Sequence, residues 1–190
     1  KYSKEGIFPV STPEELASFC YYVNTQQNAY NLLLELQNDI DLSGYAWAPM
    51  GWGTVDYSHP FRCFVDGKGH TIRNMTIETT AYHGGFLGWE NYASVYNITF
   101  ENAFVDGGTS SGIIVGEAIC GDFTDCHVSG TVNCGRNAGS MFGYEANCTI
   151  TDCTADVLVN GEEFPYLSWN DKEKAHIFIE DPLEITIDDT

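Results

Sequence analysis

The feature that most constrains the fold of this chain is a pair of short motifs that return at a nearly constant interval. The first motif reads GGFLG, GIIVG and GSMFG, and its copies begin at Gly84, Gly112 and Gly139. The second motif opens with Asn or Asp before an apolar residue or Cys, and its copies begin at Asn97, Asp125 and Asp152. Because the two motifs keep the same steps from copy to copy, we predict a structural repeat in which each copy is one rung of a solenoid.

Within each copy the apolar residues alternate with polar ones, as in Ile98 with Phe100 and Cys126 with Val128. Alternation with period two, punctuated by Gly, Asn and Asp, predicts short strands. Strands that recur at one interval stack on their own copies, so the sequence predicts an all-β, pectate-lyase-like solenoid. We expect a parallel β-helix of about four rungs over residues 61–161, since a propeller blade needs longer repeats of about 40 residues.

The repeat also predicts which side chains share a position on successive rungs. The segment Asn74–Ile77 resembles the second motif and precedes Asn97 by somewhat less than a full repeat, so we place it as a partial earlier copy. One column of side chains is then predicted to point into the core, together with other apolar positions. A second column is predicted to occupy a turn, where its side-chain oxygens satisfy backbone amides. The inward column is Met75, Ile98, Cys126 and Cys153, the further core positions are Phe100, Val128 and Ile150, and the turn column is Asn74, Asn97, Asp125 and Asp152.

Seven cysteines cannot all pair within one chain, and the absence of a C-x-x-C motif disfavours a structural zinc site. The register places Cys126 and Cys153 on neighbouring rungs at a spacing that a disulfide permits. We predict that both are buried, reduced and packed as small core residues. A redox or metal-binding pair is the alternative.

The segment before the repeat, 1–60, has a different pattern. Thr12 as N-cap, Pro13 and Glu15 have the sequence of a helix start with a capping box. Leu16, Phe19, Cys20 and Val23 then form one apolar face, so we predict a helix that caps the open end of the solenoid. We expect one domain over 1–190, with the cap helix and first strands in 1–60, the repeats in 61–161, and an acidic tail or cap strand, including the segment LEITI, in 162–190.

The charge of the chain narrows the classes of partner. Eight basic residues against 27 acidic ones give a net charge of −19, which disfavours nucleic acids, anionic lipids and polyanionic glycans. No apolar run is long enough to span a membrane. Neutral glycans, proteins and divalent cations remain as partners.

Three stretches taken in order resemble bacterial surface proteins that carry GLUG repeats: STPEELASFCYYVN, LQNDIDLSGYAWAPMG, and FRCFVDGKGHTIRNMTI followed by the glycine motifs. The resemblance covers roughly residues 10–161, although cysteines stand here where Leu or Ile is usual. It implies a right-handed parallel β-helix on a secreted, cell-attached protein, and it implies no catalytic residues.

Parallel β-helices also host polysaccharide lyases and hydrolases, but the acidic residues here fall mostly at turns, and the basic ones form no column. No hydrolase, zinc-protease or phosphate-binding motif occurs. We therefore expect no catalytic residues, no metal and no cofactor. A polysaccharide-degrading enzyme is the less favoured alternative.

Aromatic side chains are the candidate binding residues, because flat rings bury area at small entropic cost. A ligand-binding surface is predicted near the corners of the rungs, whereas the aromatic residues around WAPMGWG (Tyr45, Trp47, Trp52 and Tyr57) are expected to serve largely in packing. We expect a non-catalytic extracellular module for adhesion or for recognition of neutral glycans or of host or bacterial surface proteins. The alternative is a rigid spacer within a larger surface protein or peptidase. The candidate binding residues are Tyr82, Trp89, Tyr92, Tyr96 and Tyr144.

Overall fold

The structure is a computed structural model that describes residues 6–26, 29–51, 59–79 and 82–171. In chain order its elements are β1 Ile7–Val10, α1 Pro13–Thr25, β2 Tyr30–Leu36, β3 Ile40–Asp41, β4 Arg62–Asp66, β5 Thr71–Arg73, β6 Thr76–Thr79, β7 His83–Gly84, β8 Leu87–Asn91, β9 Ser94–Gly107, β10 Ser110–Ser111, β11 Val115–Ile119, β12 Asp122–Asn133, β13 Asn137–Ala138, β14 Phe142–Ala146, β15 Thr149–Thr151, β16 Thr154–Val159 and β17 Glu162–Glu163.

These strands form the parallel β-helix that the repeat predicts. The largest sheet runs in the order β1-β2-β4-β9-β12-β16, and two three-stranded sheets run β7-β10-β13 and β8-β11-β14. The pairings between rungs are parallel, and β17 pairs antiparallel with β16 at the C-terminal end of the main sheet. We number five rungs from one corner of the solenoid: rung 1 is 30–61, rung 2 is 62–90, rung 3 is 91–118, rung 4 is 119–145 and rung 5 is 146–171.

Rung 1 precedes the predicted repeat, and the repeat itself does not reveal it. β2 pairs with β4, and Leu33 lies opposite Phe64, so this rung is longer than those that follow. It has neither the glycine motif nor the interval of the later rungs. Its inward side chains, Leu34 and Leu36, are nevertheless fully buried in the same core as those of the later rungs.

The repeat interval is the hydrogen-bonding register of rungs 3 and 4. Cys126 lies opposite Ile98, and Val128 lies opposite Phe100, one repeat earlier in each case. All four side chains are buried, as predicted, and rings from different segments of the rungs meet in the core. Such a fully buried apolar side chain contributes about 1.5–3 kcal/mol to the free energy of unfolding. Ring centroids are 5.0 Å apart in Phe86–Phe100 and 4.6 Å apart in Phe123–Phe142.

The glycine motif recurs because two segments of each rung cross at very close range. The last glycine of each copy stays in register, at Gly88, Gly116 and Gly143. A Cβ atom on Gly116 would lie 2.6 Å from the Cβ of His83 and 2.7 Å from the carbonyl oxygen of Gly88. Any side chain at this position would therefore force the rungs apart.

Two predictions about the last rung are wrong. Ile150 and Cys153 are only partly buried, although their counterparts on rung 4 are fully buried. Among the described residues, β15 pairs with β12 alone, so one side of this rung is not covered by a following strand. Within the described residues, the position of this rung, rather than the residue types, sets this exposure.

The predicted placement of Asn74 and Met75 is also wrong. Arg73 lies opposite Glu101, and Thr76 lies opposite Phe104, so the register aligns Asn74 with Asn102 and not with Asn97. The side-chain amide of Asn102 accordingly donates to the side-chain oxygen of Asn74 at 2.7 Å. Met75 is fully buried, as predicted, but it belongs to a different column from Ile98. This segment therefore keeps the full repeat interval, and its shorter match to Asn97 was a local similarity of sequence.

The remaining turn column is a corner with left-handed backbone. Asn97, Asp125 and Asp152 have φ angles of 54°, 53° and 53°. Asn and Asp tolerate this conformation better than other residues with a side chain, which explains why they recur there. The prediction that this column accepts turn amides is wrong for the described residues, where Asp125, for example, bonds the ring of His127. Asp41, outside the column, makes such a bond, because it accepts from the backbone N–H of Ser43 at 2.9 Å.

Helix α1 covers the N-terminal end of the core, as predicted. The hydroxyl of Thr12 accepts the backbone N–H of Glu15 at 3.2 Å, and the Glu15 carboxylate accepts the backbone N–H of Ser11 at 2.6 Å. The first bond satisfies a donor that a helix start leaves without a partner, and the second ties the helix to the residue before its N-cap. The buried face of the helix consists of Leu16, Phe19 and Cys20.

Leu16→Asp tests the role of this cap. Leu16 is fully buried, so the substitution should lower the free energy of unfolding by about 2–4 kcal/mol because it places a carboxylate in the core. Chemical denaturation followed by circular dichroism gives this value. Tyr21→Asp is the matched control, since Tyr21 is 73% exposed on the same helix and should change stability by about 0.5 kcal/mol or less. Equal effects of the two substitutions would contradict the cap.

Candidate functional site

An open cleft lies at the corner from which the rungs are numbered. Five residues line it, and its volume is about 470 Å³. Tyr30 lies opposite Arg62 in the parallel pairing of β2 with β4. The backbone N–H of Asn91 donates to the carbonyl of Phe61, which puts Asn91 beside Arg62 on the next rung. Residues from three successive rungs therefore meet here: Tyr30, Asn31, Arg62, Asn91 and Tyr92.

Two exposed aromatic rings flank this cleft. Tyr30 is 54% exposed and Tyr92 is 70% exposed. Arg62 is also exposed, and no described carboxylate forms an ion pair with it, whereas Arg73 bonds both Asp39 and Glu101. The cleft thus combines apolar ring faces with a guanidinium group that has no ion-pair partner among the described residues.

Tyr92 has a strained backbone. Its φ angle is 60°, and the equivalent corner positions on the next two rungs, Cys120 and Asn147, have φ angles of 59° and 56°. A bulky residue in this left-handed region costs about 1–2 kcal/mol, whereas Asn costs less. Burial does not offset the strain, because the ring is mostly exposed. Residues held in this way often serve a function.

Asn91 adds a buried polar atom to the cleft. Its side-chain oxygen is inaccessible to solvent and accepts no hydrogen bond from the described residues. A buried acceptor without a donor costs about 1–3 kcal/mol, which a small rearrangement on binding a hydroxyl or amide donor would recover. Asn91 directly precedes Tyr92 in the chain, so this oxygen belongs to the same corner.

Glu90 fixes the corner that carries Asn91 and Tyr92. Its fully buried carboxyl group accepts the backbone N–H of Ala93 at 2.8 Å, across the corner, and that of Ile119 at 3.0 Å, on the next rung. Burial raises the pKa of Glu90 to about 8, so this carboxyl is largely protonated at neutral pH. Glu90 is a positioning residue, because it holds the backbone on either side of the cleft residues.

The other predicted binding residues lie elsewhere on the solenoid. Trp89 and Tyr144 occupy one row of the β8-β11-β14 sheet, with Glu117 between them. Trp89 is only 7% exposed and belongs to the packed interior, whereas Tyr144 is partly exposed. Trp89 therefore offers little ring surface to a ligand.

Tyr82 and Tyr96 are separated from this row. Tyr82 is 38% exposed, and its ring meets that of buried His83 edge-on, with centroids 5.2 Å apart. Tyr96 is partly buried on β9, opposite Asp66. Of the five predicted residues, the structure brings Tyr92 alone into the cleft.

The aromatic segment WAPMGWG is packed in part, as predicted. Trp47 is buried, its ring stacks on Phe86 at 5.3 Å, and its indole N–H donates to the Phe86 carbonyl at 3.1 Å. Tyr45 is half exposed and bonds Glu14. Trp52 and Tyr57, like the LEITI segment of the tail, lie outside the described residues.

Sequence reasoning missed Tyr30, Arg62 and Glu90. Arg62 is an isolated basic residue in the sequence, and Tyr30 lies before the predicted repeat. Within residues 6–26, 29–51, 59–79 and 82–171, no group of three or more His, Cys, Asp and Glu side chains is arranged to hold a metal ion. No helix in this part of the chain is long and apolar enough to cross a lipid bilayer.

Comparison with known proteins finds a related sequence and a related structure. Halomucin from Haloquadratum walsbyi (strain DSM 16790 / HBSQ001) is 31% identical over 147 residues, which cover 71% of this chain and 2% of Halomucin. The chain thus corresponds to a small fraction of that protein's length. No protein-family model matches the chain.

The related structure is the crystal structure of a "putative immunoglobulin A1 protease" from Bacteroides ovatus. It matches with a TM-score of 0.60 at 18% identity, over 86% of this chain and 46% of that one. At this identity the likeness bears on the fold alone, and it agrees with the parallel β-helix described above.

Glu90→Gln tests whether this carboxyl titrates in the folded state. A pKa raised from 4.5 to about 8 means that the folded chain keeps a proton which the unfolded chain releases, so stability falls as the pH rises through this range. Burial lowers the pKa of His83 from 6.5 to about 4, so this residue makes stability rise, rather than fall, with pH below 6.5. We therefore expect the Tm of the wild type to fall more than that of Glu90→Gln as the pH rises from 6.5 to 8.

At pH 6.5 the variant should also be the less stable protein, because an amide oxygen can accept only one of the two N–H groups that the carboxyl accepts. Glu162→Gln is the control, since Glu162 is exposed on β17 and its substitution should leave the pH dependence unchanged. Parallel Tm profiles for wild type and Glu90→Gln would contradict the raised pKa. Differential scanning calorimetry across this pH range measures all three proteins.

Proposed function

We propose that this chain is a non-catalytic recognition module of an extracellular surface protein, and that it binds neutral glycans in the cleft formed by Tyr30, Arg62, Asn91 and Tyr92. The observation that carries this proposal is the pair of exposed tyrosine rings on either side of a guanidinium group without an ion-pair partner among the described residues. Sugars present apolar C–H faces and polar hydroxyl edges, which suit ring faces and hydrogen-bond donors respectively.

The spacing of the cleft fits an extended ligand. Neighbouring rungs are about 4.8 Å apart, so Tyr30 and Tyr92, two rungs apart, are separated by roughly 10 Å along the solenoid. A short oligosaccharide laid along the rungs would contact one ring at each end. Arg62 would donate hydrogen bonds to its hydroxyl groups midway.

The charge of the chain favours neutral over acidic glycans. With a net charge of −19, the surface repels uronate or sulfate chains at long range, and one arginine does not reverse that field. A neutral saccharide meets no such repulsion. Binding should therefore depend only weakly on salt concentration.

The surface location rests on likeness rather than on the site. The resemblance to GLUG-repeat surface proteins and the 31% identity with Halomucin support it. A single cleft of this kind would bind weakly, and multiple copies displayed on a cell would strengthen attachment. Adhesion is the role that such display would serve.

A rigid spacer is the second candidate, and the continuous parallel ladder of the main sheet favours it. A spacer needs stiffness but no ligand, and a strained, exposed Tyr92 has no use in it. The two functions therefore differ in what they require of the cleft.

Tyr92→Ala and Tyr30→Ala test the proposed ligand site. A glycan array should first identify neutral oligosaccharides that the wild type binds, and calorimetric titration should then show that each substitution weakens binding about tenfold or more. Tyr21→Ala, which removes an equally exposed ring outside the cleft, should bind like the wild type. No binding to any neutral glycan would favour the spacer, and product release from a polysaccharide would favour an enzyme.

Tyr92→Asn separates the functional role of Tyr92 from a structural one. Asn accepts the left-handed backbone better than Tyr, so the variant should gain about 1 kcal/mol of stability. It should lose glycan binding because the ring is gone. A variant that loses stability would show that the Tyr92 ring is held for packing.

A further inference from the structure

Two cysteines face each other on the last two rungs. His127 lies opposite Thr154, and the paired residues on both sides of the cysteines are in the same register, so Cys126 lies directly opposite Cys153. In-register neighbours on parallel strands have Cα atoms about 4.8 Å apart. This value falls within the range of about 4.4–6.8 Å that disulfides span.

The two thiols have different surroundings. Both are free, but Cys126 is fully buried and its thiol donates to the carbonyl of Val95 at 3.3 Å, whereas Cys153 is partly exposed on rung 5. The interaction between the two neighbouring sulfur groups lowers the pKa of Cys153 and raises that of Cys126. Because the thiolate is the nucleophile in exchange reactions, Cys153 is the thiol that reacts first.

We propose that Cys126 and Cys153 form a redox site in which Cys153 is the attacking thiol and Cys126 the resolving thiol, and that oxidation joins rung 4 to rung 5 by a disulfide. The oxidant is a low-molecular-weight disulfide. A redox pair is the alternative that the sequence leaves open for these two cysteines.

The reaction proceeds in two exchanges. The Cys153 thiolate attacks one sulfur of the small disulfide, its S–S bond breaks, one small thiolate leaves, and a mixed disulfide forms on Cys153. Cys126 then gives up its proton to solvent and attacks the Cys153 sulfur, which releases the second small thiolate. Two protein thiols are oxidised, and one small disulfide is reduced to two thiols.

The bond would act on a rung that, within the described part of the chain, has few strand neighbours. Rung 5 leaves Ile150 and Cys153 partly exposed, and β15 pairs with rung 4 alone among the described residues. A bridge from 126 to 153 closes one whole repeat into a covalent loop and limits fraying of this end. The reduced and oxidised chains should therefore differ in the stability of rung 5.

The other cysteines are poorer candidates. Cys20, Cys63 and Cys134 are buried, and burial raises the pKa of Cys148 to about 11. Cys120 is partly exposed, so it is replaced by Ser in every protein used for the test.

The test treats the folded full chain carrying Cys120→Ser with oxidised glutathione. We expect release of two glutathione thiols per chain, a final mass lower by two hydrogens, and a tryptic peptide in which Cys126 and Cys153 are linked. The Tm of the oxidised chain should exceed that of the reduced chain. Oxidation that links any other pair, or no reaction at all in the folded state, would overturn the proposal.

The order of the steps is tested by single substitutions in the same background. Cys126→Ser should stop at the mixed disulfide, with one glutathione bound to Cys153 and one released. Cys153→Ser should release none, and Cys153→Ala gives the same test if the serine variant does not fold. Glutathione found on Cys126 in either Cys153 variant would contradict Cys153 as the attacking thiol. These outcomes do not depend on whether the cleft binds a glycan.

Discussion

The whole structure depends on in-register parallel hydrogen bonding between successive rungs. This pairing sets each side chain against its counterpart one repeat away, as Val115 lies against Leu87 on one side and Phe142 on the other. An apolar residue repeated at one position therefore becomes a continuous column of core. In the same way, a glycine, a left-handed corner or a cysteine that is repeated at one position forms a column along the solenoid.

The corners are where this repetition can carry function. Strand positions must satisfy the ladder and the core at once, whereas a corner residue needs only a compatible backbone. Asn and Asp meet that need at 97, 125 and 152, and Asn meets it at 147. Tyr92 stands at such a corner with a φ angle of 60°, and Glu90 holds the backbone around it by bonds to Ala93 and Ile119. The cleft therefore consists mostly of exposed side chains that the ladder positions but the core does not use.

The sequence predicts the fold well because the fold is itself a repetition. The interval between Asn97 and Asp125 is the hydrogen-bond register, so the spacing of the motifs indicates the strand neighbours and the buried positions Ile98, Phe100 and Val128. The prediction fails where the burial or the column of a residue depends on its place in the solenoid rather than on its residue type. Ile150 and Cys153 have the residue types of core positions but lie on the last described rung, where they are only partly buried. Met75 resembles the later motif although the register places it in a different column. The cleft was missed for a related reason, because Tyr30 and Arg62 meet across a rung of irregular length that no periodic pattern reveals.

Hydrogen–deuterium exchange with and without a neutral oligosaccharide that the chain binds would test most directly whether the corner cleft is the recognition surface. The expected result is added protection in the peptides that contain Tyr30, Arg62 and Tyr92, three segments far apart in sequence that meet only in this cleft. Rung 5 and helix α1 should exchange at unchanged rates. Protection confined to the row of Trp89, Glu117 and Tyr144, or spread evenly over the solenoid, would contradict recognition at this corner.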